Sequence, residues 1–160
     1  MKLFFDSSYF FPIIKIKVEK SSPEILALTI NQDSAFEMQY STITLFELSA
    51  KGAKLIRSGQ LTRNDVINGI NALIHWENVK SVEPWDGEVQ RLAIDFRKDH
   101  PDYIDCLVIA SAIIHANVFI SEDEMLKNLF ESKWKSIAAD INDEFLILNA
   151  DSLIDRFNSN

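Results

Sequence analysis

Hydrophobic and polar positions in this chain follow two alternating rhythms. Lys2 to Phe5 is an apolar, aromatic-rich run suited to a buried strand, and it stops at Asp6-Ser7-Ser8. Tyr9-Phe10-Phe11-Pro12 cannot continue a central strand past Pro12, so a short helix is expected there. Ser22-Pro23 reads as the cap and first turn of a helix over Glu24 to Ile30, followed by a turn at Asn31 to Ser34. Phe36 to Tyr40 then alternates like a second strand.

From Ser41 to Glu47 and on through Leu48, Ala50, Ala53, Lys54 and Ile56 the period lengthens and predicts a helix ending at Ser58-Gly59. Thr62 and Asp65 form a capping box for a helix over Arg63 to His75. Val79 to Val82 predicts a short strand, and Asp86 caps a helix from Gly87 to Lys98 that His100-Pro101 ends. Tyr103 to Ala116 is apolar almost all round and predicts a buried helix. Beyond it come a strand at Asn117 to Ser121, a helix at Asp123 to Phe130, a strand at Phe145 to Leu148 and a last helix at Ala150 to Phe157.

Strands alternating with helices imply a mainly parallel sheet covered on both faces. Four glycines and four prolines are scattered over 160 residues with no repeat or linker, so one domain over 1–160 is expected. The single cysteine, Cys106, allows neither an intrachain disulfide nor a Cys-rich zinc site, which suits a reducing cytoplasm. Met1 to Phe5 is too short for a targeting segment, and no apolar stretch reaches the roughly 20 residues of a membrane span, so no membrane partner is expected. A net charge of −8 argues against a broad basic surface for nucleic acid, unless acids gathered around divalent cations reverse the local charge.

In open α/β sheets, ligands bind beyond the carboxyl ends of the strands. That rule selects Asp6 and the Ser121-Glu122-Asp123 step. Glu47 and Asp105 sit on helices that should be apolar where they face inward, and no base lies within one helical turn of Asp105. An unpaired buried carboxylate is costly, and four together repel, so a hard divalent cation such as Mg²⁺ or Mn²⁺ is the economical remedy. Each acid also has an ordinary reading. Asp6 can simply end a strand, Glu47 can be solvated or close a capping box with Thr44, Asp105 can favour a helix dipole, and Asp123 can cap a helix, leaving Glu122 or Glu124 as the working acid.

Four motifs in order resemble the PIN-domain family and, within it, the VapC-type toxins. They are Phe5-Asp6-Ser7-Ser8, Thr44-Leu45-Phe46-Glu47-Leu48, Ile104-Asp105-Cys106-Leu107-Val108-Ile109-Ala110, and Ile120-Ser121-Glu122-Asp123. The resemblance implies a PIN-like three-layer α/β/α fold and a metal-dependent endoribonuclease. Asp6, Glu47, Asp105 and Asp123 would hold Mg²⁺ or Mn²⁺, with Ser8 and Ser121 in support. It also implies an RNA substrate, a cognate antitoxin and a homodimer. An RNA-processing PIN nuclease and a catalytically idle PIN module that binds a protein stand as alternatives.

Response-regulator receivers also gather acids at strand ends, but they need adjacent acids after the first strand, where this chain has Phe5 and Ser7 around Asp6. RNA contacts would fall to Lys51, Lys54, Arg57, Lys127 and Lys133, which can equally be solvated. The three histidines lack zinc spacing, and Cys106 and the three tryptophans read as core or interface residues.

Overall fold

The computed structural model describes residues 1–18 and 36–158. The helix expected over Glu24 to Ile30 and the turn at Asn31 to Ser34 lie outside the described residues.

Strand β1 (Lys2–Phe5) is buried on both faces, and its alternation builds the layers. Phe4 belongs to one hydrophobic cluster, and Leu3 and Phe5 to a second on the opposite face. Full burial of a Leu or Phe side chain contributes about 1.5 to 3 kcal/mol, so three such residues in four make β1 the anchor of the domain. A 3₁₀ helix follows at Ser7–Ile14, then β2 (Glu37–Ser41), α1 (Ile43–Arg57), α2 (Arg63–Ile74) and β3 (Val79–Val82). The second half contains α3 (Gly87–Phe96), α4 (Tyr103–His115), β4 (Val118–Ile120), α5 (Glu124–Leu129), a π-helical turn at Phe130–Trp134, α6 (Lys135–Ala139), β5 (Leu146–Leu148) and α7 (Ala150–Asn158).

The five strands run in the order β3-β2-β1-β4-β5, every pairing parallel. Phe4 and Phe119 join α3, α4, the π turn and α6 on one face. Leu3, Phe5 and Met38 join the 3₁₀ helix, α1, α2 and α7 on the other. This is the expected α/β/α arrangement. Because the chain works outward from β1 in both directions, the order reverses between β1 and β4, which places the ligand crevice at the carboxyl ends of those two strands.

Local chemistry explains the boundaries. Thr62 and Asp65 form the expected reciprocal capping box, and the Asp86 carboxylate accepts the N–H groups of Glu88 and Val89 at 2.9 Å each. Helix α4 buries eight consecutive residues, Cys106 to Ile113, as its apolar circumference requires. The helix after β4 runs on through the π turn and α6, further than the expected end at Phe130. Phe130, Trp134 and Ala138, spaced by four, line its buried side. The last strand starts one residue late, at Leu146 rather than Phe145, because Phe145 packs into the core against Phe130 before pairing begins. No helix among the described residues is long and apolar enough to cross a membrane.

Candidate active site

Asp6 leaves β1 where that strand pairs with β4, its N–H donating to the Ile120 carbonyl at 3.0 Å. Its carboxylate accepts the Ser121 hydroxyl at Oδ2 over 2.9 Å and hydrogen bonds from Ser8. Burial nevertheless holds the carboxyl above its usual range against these donors, and Asp123 adds like-charge repulsion. Ser121 is shared between acids, since its oxygen also accepts the Asp123 N–H at 3.2 Å. Ser8 and Ser121 thus both donate to Asp6.

Glu47 approaches from α1. Thr42, not Thr44, stands at the helix start, and the Thr44 hydroxyl meets Ser7 Oγ at 2.8 Å, so the suggested Thr44–Glu47 capping box is not formed. Ser7 hydrogen-bonds the Glu47 carboxylate, which burial and the charge of Asp6 still push upward. Asp105 stands in the first turn of α4, where the helix dipole favours an anion. Burial and the charges of Asp102, Asp6, Glu47 and Asp123 outweigh that preference and raise its pKa to about 7. Asp123 does cap α5, with both bonds, from Met125 N and Leu126 N, falling on Oδ1.

The four acids therefore come from four different elements and lie within one another's electrostatic reach at the edge the topology selects. Among the described residues no Lys or Arg forms an ion pair with any of them. Nor do three or more His, Cys, Asp or Glu side chains there stand close enough to grip a single ion as placed. Lys51 offsets part of the charge on Glu47, and like charges 4 Å apart would cost about 4 kcal/mol at an effective dielectric near 20. The donor set is all oxygen and anionic, which fits Mg²⁺ or Mn²⁺ and not a thiolate-seeking metal.

Other residues sort themselves by their partners. Glu122 turns away, accepting the Tyr9 hydroxyl at 2.7 Å and the Ala150 N–H at 2.9 Å, and so braces α7 against the 3₁₀ helix. Glu124 is exposed. Lys51 lies over the Phe11 ring at 3.7 Å, and Lys133 pairs with Asp99. Trp134 is core, Trp76 packs against the second cluster, and Trp85 is exposed. Cys106 is buried.

The sequence reading missed Ser7, Asp102 and His100. Ser7 carried a signal, as a second hydroxyl beside Asp6. Asp102 was visible as the cap of α4, accepting the Ile104 N–H at 2.8 Å, but its charge on Asp105 depends on the fold. His100 lies five residues before Asp105, outside one helical turn, yet the chain bends at Pro101 and brings its Nε2 to 3.8 Å from Asp105 Oδ2.

No protein-family model matches the sequence, and no curated protein matches it. Solved structures do. A crystal structure of VapBC2 from Rickettsia felis bound to a DNA fragment from their promoter aligns over 93% of this chain and 98% of its own, with a TM-score of 0.55 and 13% identity. A structure of VapBC-1 from nontypeable Haemophilus influenzae aligns over the same shares, with a TM-score of 0.58 and 16% identity. With its five parallel strands between two helical layers, the chain has the PIN-like α/β/α fold of these VapBC structures.

Proposed function

We propose that the chain is a metal-dependent endoribonuclease, hydrolysing RNA phosphodiester bonds at the Asp6, Glu47, Asp105 and Asp123 cluster. The observation that carries this reading is that four carboxylates from four elements act on one another's charge, three of them pushed toward protonation and none in an ion pair with a Lys or Arg among the described residues. Such a cluster costs stability, and a divalent cation is what relieves it.

Asp6 and Asp105 would take the ion directly, with Glu47 and Asp123 completing the ring. A bound Mg²⁺ or Mn²⁺ supplies Lewis acidity and lowers the pKa of water for in-line attack at phosphorus. Ser8 and Ser121 favour the ionised form of Asp6 by donating to it, against the burial that raises its pKa, and Ser7 does the same for Glu47. The acid ring bars the RNA backbone until its charge is offset, so substrate binding and ion binding belong together.

The similar structures are VapBC complexes, which supports reading the chain as the nuclease of a toxin–antitoxin pair with an antitoxin as its protein partner; a homodimer is the working form this reading takes. Labelled RNA incubated with the protein and Mg²⁺ or Mn²⁺ tests the chemistry, beside Asp6→Asn and Asp105→Asn. Cleavage abolished by EDTA and by both substitutions supports it. Cleavage that survives both substitutions undiminished overturns it.

A further inference from the structure

The imidazole of His100 is buried, its side chain 1% exposed, and Nε2 has no hydrogen-bond partner among the described residues. Buried polar groups without a partner are rare and mark a function or a missing contact. The ring is fixed on its other sides. Its Nδ1 lies 3.1 Å from both the amide nitrogen and the carbonyl oxygen of Asp102, Trp134 stands edge-on at 6.5 Å, and Arg97 holds the His100 carbonyl at 3.0 Å. The amide hydrogen of Asp102 is immovable and needs a lone pair, so in the neutral ring Nδ1 accepts and the proton sits on Nε2. That N–H faces Asp105 Oδ2 at 3.8 Å, too far for a hydrogen bond by about 1 Å.

Of the two partners, only Asp105 can close this gap, because its side chain is 34% exposed while the histidine is locked in place. Asp102, Asp6, Glu47 and Asp123 surround the Asp105 carboxylate with like charge, which a divalent cation would offset. We propose that His100 is the positioning residue for Asp105, its Nε2–H holding Oδ2 so that the carboxylate presents Oδ1 to a divalent cation. This rests on the metal-centre reading above. Donors behind a ligating group fix its orientation, and their loss weakens metal affinity about 10- to 100-fold.

The test uses the full chain with Mn²⁺ as probe, read by calorimetric titration, and thermal melting in EDTA as the measure of folding. His100→Phe keeps the ring volume and removes the donor, and is expected to bind Mn²⁺ about 10- to 100-fold more weakly while melting close to the parent in EDTA. His100→Gln returns a donor at similar reach and is expected to restore most of the affinity. Parent-like Mn²⁺ binding by the Phe variant, or a Gln variant as weak as the Phe variant, overturns the proposal. If the Phe variant does not fold, the comparison moves to Gln against the shorter Asn, which cannot reach Asp105; equal affinities overturn it. A parent protein that binds no Mn²⁺ at all overturns the metal centre itself, and this inference falls with it.

Discussion

The Ser121 hydroxyl reaches Asp6 Oδ2 at 2.9 Å across 115 positions of sequence, tying the ends of the two central strands together. Its oxygen also takes the Asp123 N–H, so one small side chain orients two acids. Ser121→Ala is expected to lower stability by about 1 to 2 kcal/mol, measured by urea denaturation, because it strands a buried acceptor and a donor. The same change should weaken Mn²⁺ binding, and a variant matching the parent in both respects would show the hydroxyl to be idle.

Stability and function are expected to move in opposite directions at Asp105. Asp105→Asn removes one charge from a mutually repelling group, so the metal-free protein should gain about 1 kcal/mol near pH 8, after discounting for solvent screening. RNA cleavage should fall by about 10²-fold or more, as for loss of a group acting on developing charge. Melting curves in EDTA and initial rates on labelled RNA check the two signs separately.

The same carboxyl sets a pH dependence. Its pKa is about 7 in the folded chain against an ordinary 3.8, so between those values the folded state holds a proton that the unfolded state has released. Its contribution to stability is complete below about pH 4 and is lost as pH rises through 7. In EDTA, the melting temperature of Asp105→Asn should therefore pull further above the parent's at pH 8 than at pH 5. Added Mg²⁺, which competes with that proton, should raise the parent's melting temperature more at pH 8 than at pH 5. A gap that narrows with rising pH would refute the assignment.

Helix α2 crosses the 3₁₀ segment at Gly69, where a methyl group would lie 2.5 Å from the Ile13 carbonyl oxygen and 2.6 Å from Ile14 Cγ2. Backbone cannot yield as a side-chain tip can. Gly69→Ala is expected to cost about 1 to 3 kcal/mol, despite the better helix propensity of alanine. A neutral or stabilised variant in denaturant melts would show that the two elements slide apart freely.

Cys106 lies directly after Asp105 but faces the core, where burial first and then the Asp105 charge push its thiol up to about 11. Native protein at pH 8 should react with a thiol reagent far more slowly than protein in urea, and at a rate tracking global opening. Rapid labelling of the native protein would place the thiol at the surface.

Much of this was written in local pattern. The capping pair Thr62 and Asp65, the all-apolar helix at Tyr103 and the abrupt end of Lys2 to Phe5 each follow from neighbours within a few residues, and these three readings held. What stayed hidden depends on distant approach. His100 stands only five residues before Asp105, but nothing local announces their contact, which is made by the bend at Pro101 and by the wall that Trp134 supplies from the π turn. Glu122 and Asp123 are adjacent acids with similar local claims. Only the arrival of Tyr9 and Ala150 separates them, by occupying one and leaving the other to cap α5 beside Ser121.

The strand order has a consequence in time. Asp6 leaves the ribosome more than a hundred residues ahead of β4, which pairs with β1 and leads into Ser121. At translation speeds of about 5 to 20 residues per second, that interval is roughly 6 to 23 seconds. Through all of it the acids have no common edge on which to meet. A chain with the proposed activity would be harmless to the message encoding it until β4 has emerged and docked on β1.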